Sequence, residues 1–246
     1  LRQVSPKEIL PLETSIPYFS NIRAENEVEI DNIKSVDATM SELMKTPTMV
    51  KGAVMPDACP TGEKGQIPVG GVAVTKNAIH PAMHSADICC SVMMTAFGAV
   101  SPKSVLDAAH SVTHFGPGGR PEFSVLPKEM NEQINSNPFL NSERSKTLAV
   151  THLGTQGDGN HFLFVGVSAK SGETVMVTHH GSRGFGAQLY AYGMKTAEFF
   201  RKEISPKTLA RNAWIPFDTD EGQNYWDALQ VVRSWTKLNH NVIHEA

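Results

Sequence analysis

The sequence predicts a globular chain of mixed helices and strands, and three observations carry that reading. Its 246 residues are 40% hydrophobic and 19% charged, the balance of an ordinary soluble protein and outside the range of disordered, collagen-like or coiled-coil chains. Short Val-rich runs are bounded by Gly and Pro, as strands are. Between them lie stretches with helical spacing and recognisable start and stop signals. A chain of this length buries roughly 70–75% of its unfolded surface, so a water-excluded site needs no disulfide, and one large domain or two small ones would fit.

Lys and Arg number 22 against 25 Asp and Glu, a net charge of −3. No basic excess announces a nucleic-acid partner, although a local basic groove is compatible with that balance. The longest nearly apolar stretch, Val92 to Val100, is interrupted by Thr95 and Gly98 and is too short for a membrane span, which needs about 18 residues. The first residues carry no secretion signal, and without an initiator Met the natural chain is expected to begin earlier. Cys59, Cys89 and Cys90 form no spaced framework, so a reducing, cytoplasmic setting is expected.

In chain order, Asp37 is expected to cap a helix carrying Met40, Leu43 and Met44, stopped by Pro47. Two β runs follow, Met49 to Met55 and Val69 to Thr75, joined by a polar loop from Pro56 to Gly65. A third β run spans Cys90 to Phe97. Ser101 and Pro102 open a helix to about Ser111, Phe115 to Arg120 is a loop, and Pro121 to Val150 reads as polar helix broken at Asn137-Pro138. The clearest hairpin runs from His161 to Val167 and from Glu173 to His179, with β-branched and aromatic residues on both arms. Antiparallel pairing brings His161 and His179 to one end of that ribbon. A helix follows Gly184-Phe185-Gly186 towards Pro206. A last helix starts at Asp218, with Glu221 completing a capping box, and its face of Tyr225, Leu229, Val232 and Thr236 leads to His240.

Several side chains suit a metal. Asp87 and Cys90 stand three apart, so one turn can aim a carboxylate and a thiolate at one point, and a thiolate can bridge two cations. His161 and His179 meet at the hairpin end, and His240 can join them from the last helix. Singly each is better read as structural, since a buried Cys mostly behaves as a small hydrophobe; the joint pattern favours a ligand set. His240 and His244 share a zinc-compatible spacing but lack the Glu that metallopeptidases place after the first His. Two glycine-rich loops, Gly154 to His161 and His179 to Gly186, offer backbone N–H groups to an anion, with Arg183 as a charged donor. Each abuts a candidate ligand, and metals beside phosphate-binding backbone are the equipment of phosphoryl transfer. From thiolate and imidazole donors alone, zinc would be the first choice.

Met55-Pro56-Asp57, Ile67-Pro68-Val69-Gly70-Gly71, Asp87-Ile88-Cys89-Cys90, the run Gly154 to Phe162, His179-His180-Gly181-Ser182-Arg183-Gly184 and His240-Asn241 stand in the order and rough spacing found in RtcB RNA-splicing ligases, and the chain resembles that family. The resemblance implies an α+β fold, with central β-sheets wrapped by helices, in a single catalytic domain over residues 1–246 that lacks its C-terminal portion. It implies a two-manganese site held by Asp87, Cys90, His161, His179 and His240, with Cys90 bridging. Asn160 would belong to the nucleotide and metal site, Ser182 and Arg183 would contact the nucleotide, and Asp57 would lie close to the histidine nucleophile.

The implied chemistry is GTP-dependent joining of an RNA 3′-phosphate or 2′,3′-cyclic phosphate end to a 5′-hydroxyl end through a histidine–GMP intermediate, as in tRNA splicing and RNA repair. RNA with broken ends and GTP are the implied partners, no membrane is, and an activating protein is left open. The resemblance implies that the nucleophile lies beyond Ala246, and none of the histidines within the chain is a good candidate for the role. Cys59 stands where the family commonly has histidine, Cys89 where it has glycine and Phe164 where it has glutamate, which suggests a divergent branch. A second reading stays open beside the ligase: a metal-dependent phosphoesterase or a catalytically inactive RNA-binding relative. Both cysteines of the Cys89-Cys90 pair are expected reduced, because a vicinal disulfide closes a strained ring.

Overall fold

Two of the Val-rich runs are strands, as expected, and the structure pairs them: β2 (Met49–Cys59) lies antiparallel to β3 (Val69–Thr75), and β1 (Tyr18–Ser20) adds to β2 in parallel. The computed structural model describes residues 8–62, 66–84, 88–121 and 124–246. It divides into two compact units, residues 1–84 with 193–223 and residues 85–192 with 224–246. The architecture is α+β, as the resemblance implies.

In the first unit, α1 (Glu27–Leu43) begins ten residues before the expected cap. Asn26 is the cap: its Oδ1 accepts from Glu29 N at 3.0 Å, while the Glu29 carboxylate accepts from Glu25 N at 2.6 Å, a reciprocal arrangement that satisfies exposed N-terminal donors. Asp37 sits inside the helix and accepts from the Tyr18 hydroxyl at 3.1 Å. Val36, Met40 and Leu43 form the buried face of α1, packed with Met44, Met49 and Val54. β2 runs past Met55 to Cys59, but its register with β3 breaks between Val54 and Cys59, a bulge that takes Asp57 out of the ladder. Residues 63–65, at the end of the expected loop, lie outside the described residues. β4 (Ala78–Ile79) pairs with β8 (Ile215–Pro216).

His80 closes this core against Trp214, ring to ring at 6.0 Å, and its Nε2 meets Thr48 Oγ1 at 2.8 Å. Burial, reinforced by His84 and opposed by the backbone of Asn212 and Ala213, depresses its pKa to about 4. Below about pH 6.5 the unfolded chain takes up a proton that the folded chain refuses, so stability falls as pH drops from about 6.5 towards 4, by about 1 kcal/mol per unit for this group. Urea unfolding across that range should show a shallower slope for His80→Gln than for the natural chain; parallel slopes would remove His80 from the account.

In the second unit, β5 (Ser91–Ala96), β6 (Phe162–Val167) and β7 (Thr174–His180) form an antiparallel sheet in the order β5-β7-β6. α2 (Pro102–Val112) follows the expected pattern, and α3 (Lys128–Ser136) and α4 (Glu143–Thr151) lie within the stretch expected to be helical from Pro121 to Val150, although α3 starts only at Lys128 and the break at Asn137 extends to Ser142. α5 (Arg183–Ile204) starts at Arg183 and so includes the glycines read as a loop. α6 (Asp220–Glu245) is capped by Thr219, whose hydroxyl accepts from Gly222 N at 3.0 Å, and not by Asp218; the Asp218 amide instead donates to the Asn77 side chain. Trp235 of α6 is fully buried, packs on Phe185 and donates its indole N–H to Ala149 O at 2.8 Å.

Candidate metal and phosphate site

β7 occupies the centre of its sheet because both of its edges are paired, and that register gathers the candidate ligands at one end. Phe162 and Val92 flank His179, and Ser91 stands opposite His180, so Cys90 and His161, one residue before their strands, arrive at the same edge. Successive residues of a strand face opposite sides. His179 shares one face with Phe162 and Val92, both exposed, whereas Thr178 and His180 are fully buried on the other.

The imidazoles of His161 and His179 stand edge to face, 5.5 Å between centroids. Each spends Nδ1 on a backbone carbonyl, His161 on Gln156 O at 2.6 Å and His179 on Asn160 O at 3.2 Å. A carbonyl only accepts, so Nδ1 carries the hydrogen and Nε2 keeps a lone pair, the orientation characteristic of metal-binding histidines. Cys90 Sγ lies 4.0 Å from His161 Nε2, within the roughly 4.4 Å spanned by two bonds of about 2.1 and 2.3 Å to one ion. The donors therefore fit a borderline divalent cation. Among the described residues no three His, Cys, Asp or Glu side chains stand together as a ready metal site, and Asp87, the expected fifth ligand, lies outside them.

His240 reaches the same end from the buried face. Its ring stacks on His180 at 3.5 Å, and its Nε2 meets Ser91 O at 3.2 Å and Ser91 Oγ at 3.1 Å. Its Nδ1 lies 2.8 Å from Thr178 Oγ1, which is also 2.8 Å from His244 Nε2, and His244 Nδ1 is 2.8 Å from Thr95 Oγ1. Burial, with His244 beside it, depresses the pKa of His240 to about 4; burial, with His240, His161, His244 and Arg183 around it, depresses that of His180 to about 2. Both rings are neutral at pH 7.

The two glycine-rich loops are held from below. Asn239, fully buried on α6, accepts from Gly154 N at 2.6 Å and donates to Thr155 O at 2.9 Å and His180 Nδ1 at 3.3 Å. Gly157 adopts φ +87°, and a Cβ there would meet the Arg183 guanidinium. Arg183 is itself buried, with Nε on Thr155 Oγ1 at 3.2 Å and Nη2 on Gly116 O at 3.1 Å; it braces the loops. Ser182 is fully buried and its Oγ has no partner among the described residues, whereas Asn160 is exposed. Asp57 is exposed in the first unit, beside Gly70. Phe164 is exposed on the outer face of β6.

Residues 120–246, just over half of the chain, match the family of the tRNA-splicing ligase RtcB. The chain belongs to that family. No curated protein matches it. Membership in the RtcB family brings RNA ligase chemistry and an RNA substrate at the level of the family. The matched segment holds Asn160, His161, His179, Ser182, Arg183 and His240, and Asp57, Asp87 and Cys90 precede it. Among the described residues no helix is long and apolar enough to cross a membrane.

Cys89 and Cys90 are both reduced, as expected. Cys89 has φ +62°, a left-handed conformation that glycine adopts far more readily than other residues, and its Sγ lies 3.9 Å from Leu229 O. A non-glycine residue there carries about 1–2 kcal/mol of backbone strain. Cys89→Gly is expected to stabilise the protein by about 1 kcal/mol, since loss of the thiol contact offsets part of that relief, and to raise Tm by about 2–4 °C. A lowered Tm would show that the side chain contributes more than its backbone loses.

Proposed function

We propose that the protein takes part in GTP- and manganese-dependent ligation of an RNA 3′-phosphate or 2′,3′-cyclic phosphate end to a 5′-hydroxyl end. The observation that carries this reading is the pairing of Cys90 Sγ with His161 Nε2 at 4.0 Å, beside a His179 ring oriented in the same way, in a chain of the RtcB family. Cys90, His161 and His179 would hold a divalent cation, joined by Asp87 and, once its Nε2 leaves Ser91, by His240. When bound, the metal ions would offset charge on the triphosphate and on the RNA 3′-phosphate.

The remaining work falls to the chain. Gln156 O and Asn160 O fix the two ring orientations before any ligand arrives. The loop of Gly154 to Asn160, held by Asn239 and Arg183, would present backbone N–H groups to phosphate oxygens, with the Ser182 hydroxyl and the Arg183 guanidinium adding donors behind them. Asn160 would contact the nucleotide, and Asp57 would lie close to the histidine that takes GMP.

The test uses the natural full-length protein with GTP, manganese and two RNA oligonucleotides, one ending in a 3′-phosphate and one beginning with a 5′-hydroxyl. A joined, GTP-dependent product is expected. Conversion of the 3′-phosphate to a 3′-hydroxyl without joining would replace the reading with a phosphoesterase, and bound but unchanged RNA would replace it with an inactive relative.

A further inference from the structure

One face of the β5-β7-β6 sheet is covered and the other is bare. Leu163, Val165 and Met176 pack on Val105 and Ala109 of α2. Residues of the other parity face the opposite way: Val92 and Met94 on β5, Val177 and His179 on β7, Phe162 and Phe164 on β6. Val92, Met94, Phe162 and Phe164 are 63%, 64%, 43% and 57% exposed. No Asp, Glu, Lys or Arg lies in any of the three strands, so no carboxylate on them repels a polyanion.

The two phenylalanine rings continue the candidate site. Phe162 directly follows His161, and its ring stands 5.7 Å from that of His179, tilted by 48°. Phe164 is folded along its strand over Gly166, where a Cβ would lie 2.7 Å from Cε1 and Cζ of the ring. The missing side chain lets that ring lie down on the sheet with its other side in solvent. Positions two apart on a strand are separated by about 6.6–6.8 Å, the reach of one nucleotide in an extended strand. Every base has an aromatic face, so exposed aromatic side chains on a sheet hold single-stranded RNA by stacking.

We propose that Phe162 and Phe164 are a stacking platform for the last two bases of the RNA strand whose terminal phosphate lies at Cys90, His161 and His179. The inference rests on the RNA ligase reading given above and names how that site receives its substrate. The terminal base lies on Phe162 and the preceding one on Phe164, with Val177 beside it. Phenylalanine, valine and methionine side chains donate and accept no strong hydrogen bond, so the platform grips any base and distinguishes none.

The test measures binding of a short single-stranded RNA with a 3′-phosphate to the natural full-length protein, by fluorescence anisotropy. Phe162→Ala and Phe164→Ala should each weaken binding about tenfold, the loss expected when a base is deprived of its aromatic partner. An abasic terminal nucleotide should cost the natural protein as much and Phe162→Ala almost nothing; an abasic penultimate nucleotide should behave likewise with Phe164→Ala. Phe164→Trp should bind at least as tightly as the natural protein. Losses that simply add would overturn the platform and leave the ligase reading standing, as would a preference above about tenfold among the four terminal bases, which stacking alone does not give. Lowered Tm with an unchanged response to the abasic RNAs would mean that protein covers this face, either another segment of the chain or, if sedimentation shows a dimer that Phe164→Ala dissociates, a second copy; both would overturn the proposal. RNA that fails to bind the natural protein would overturn the ligase reading and the platform together.

Discussion

Alanine at position 90 is expected to abolish tight binding of a divalent cation, with affinity reduced at least about 100-fold, whereas alanine at position 89 leaves it nearly unchanged. Removing a hydrogen-bond partner of a ligand already costs about 10–100-fold, so removing the ligand costs no less. The two cysteines are neighbours, yet the positive φ of Cys89 turns its thiol towards Leu229 while Cys90 Sγ faces His161 Nε2. Cys90 is exposed, so its replacement leaves the core intact and the loss can be read as loss of a ligand. Zinc or manganese titration followed by calorimetry, with circular dichroism to verify folding, makes the comparison. Equal losses at both positions would mean that the ligand is assigned to the wrong sulfur, and retention of affinity in Cys90→Ala would remove the thiolate from the site.

That assignment was legible in part because its geometry is local. Two arms of β-branched residues between His161 and His179 specify a hairpin, and a hairpin has only one end at which its first and last residues can meet. The third strand of the sheet, Ser91–Ala96, pairs with β7 from some eighty positions away. No periodicity within it names its partner, so the approach of Cys90 to His161 was suggested only by the joint pattern of donor types and by the family resemblance, and its register came with the fold. Helix starts were misplaced for a similar reason. Asn26 and Thr219 cap through side-chain bonds to residues three away, a signal carried equally by Asp37 and Asp218 when read in isolation. The strands β1, β4 and β8 are two or three residues long, below the length at which alternation can be recognised. Arg183, read from its residue type as an anion donor, has a further role that no local signal announces: its buried guanidinium braces Thr155 and Gly116.

Asn239 is the residue that sequence reading missed altogether, and its removal is expected to be the most damaging single change in the second unit. The face of α6 leading to His240 contains Val232 and Thr236, and Asn239 continues it at helical spacing with Ile243, all of them buried. A polar residue on such a stripe was the available signal. Asn239→Ala strips an acceptor from Gly154 N, a donor from Thr155 O and a donor from His180 Nδ1. A buried polar group left unpaired costs about 1–3 kcal/mol, so the sum after local relaxation should be about 3–5 kcal/mol, a large share of the roughly 5–15 kcal/mol that holds a typical domain together. The effect should reach the metal. Gln156 O orients His161 from the segment that Asn239 anchors, so cation affinity should fall although Asn239 touches no cation. Asn239→Asp keeps an acceptor for Gly154 N but sets a carboxylate oxygen against Thr155 O, and it should be nearly as unstable. Urea unfolding gives the first quantity, zinc titration of the folded variant the second, and hydrogen exchange at the Gly154 amide tells local loosening from global loss. A cost below about 1 kcal/mol would mean that water replaces the lost bonds and that Asn239 does not clamp the loop; lowered stability with unchanged zinc affinity would show that His161 keeps its orientation by other means.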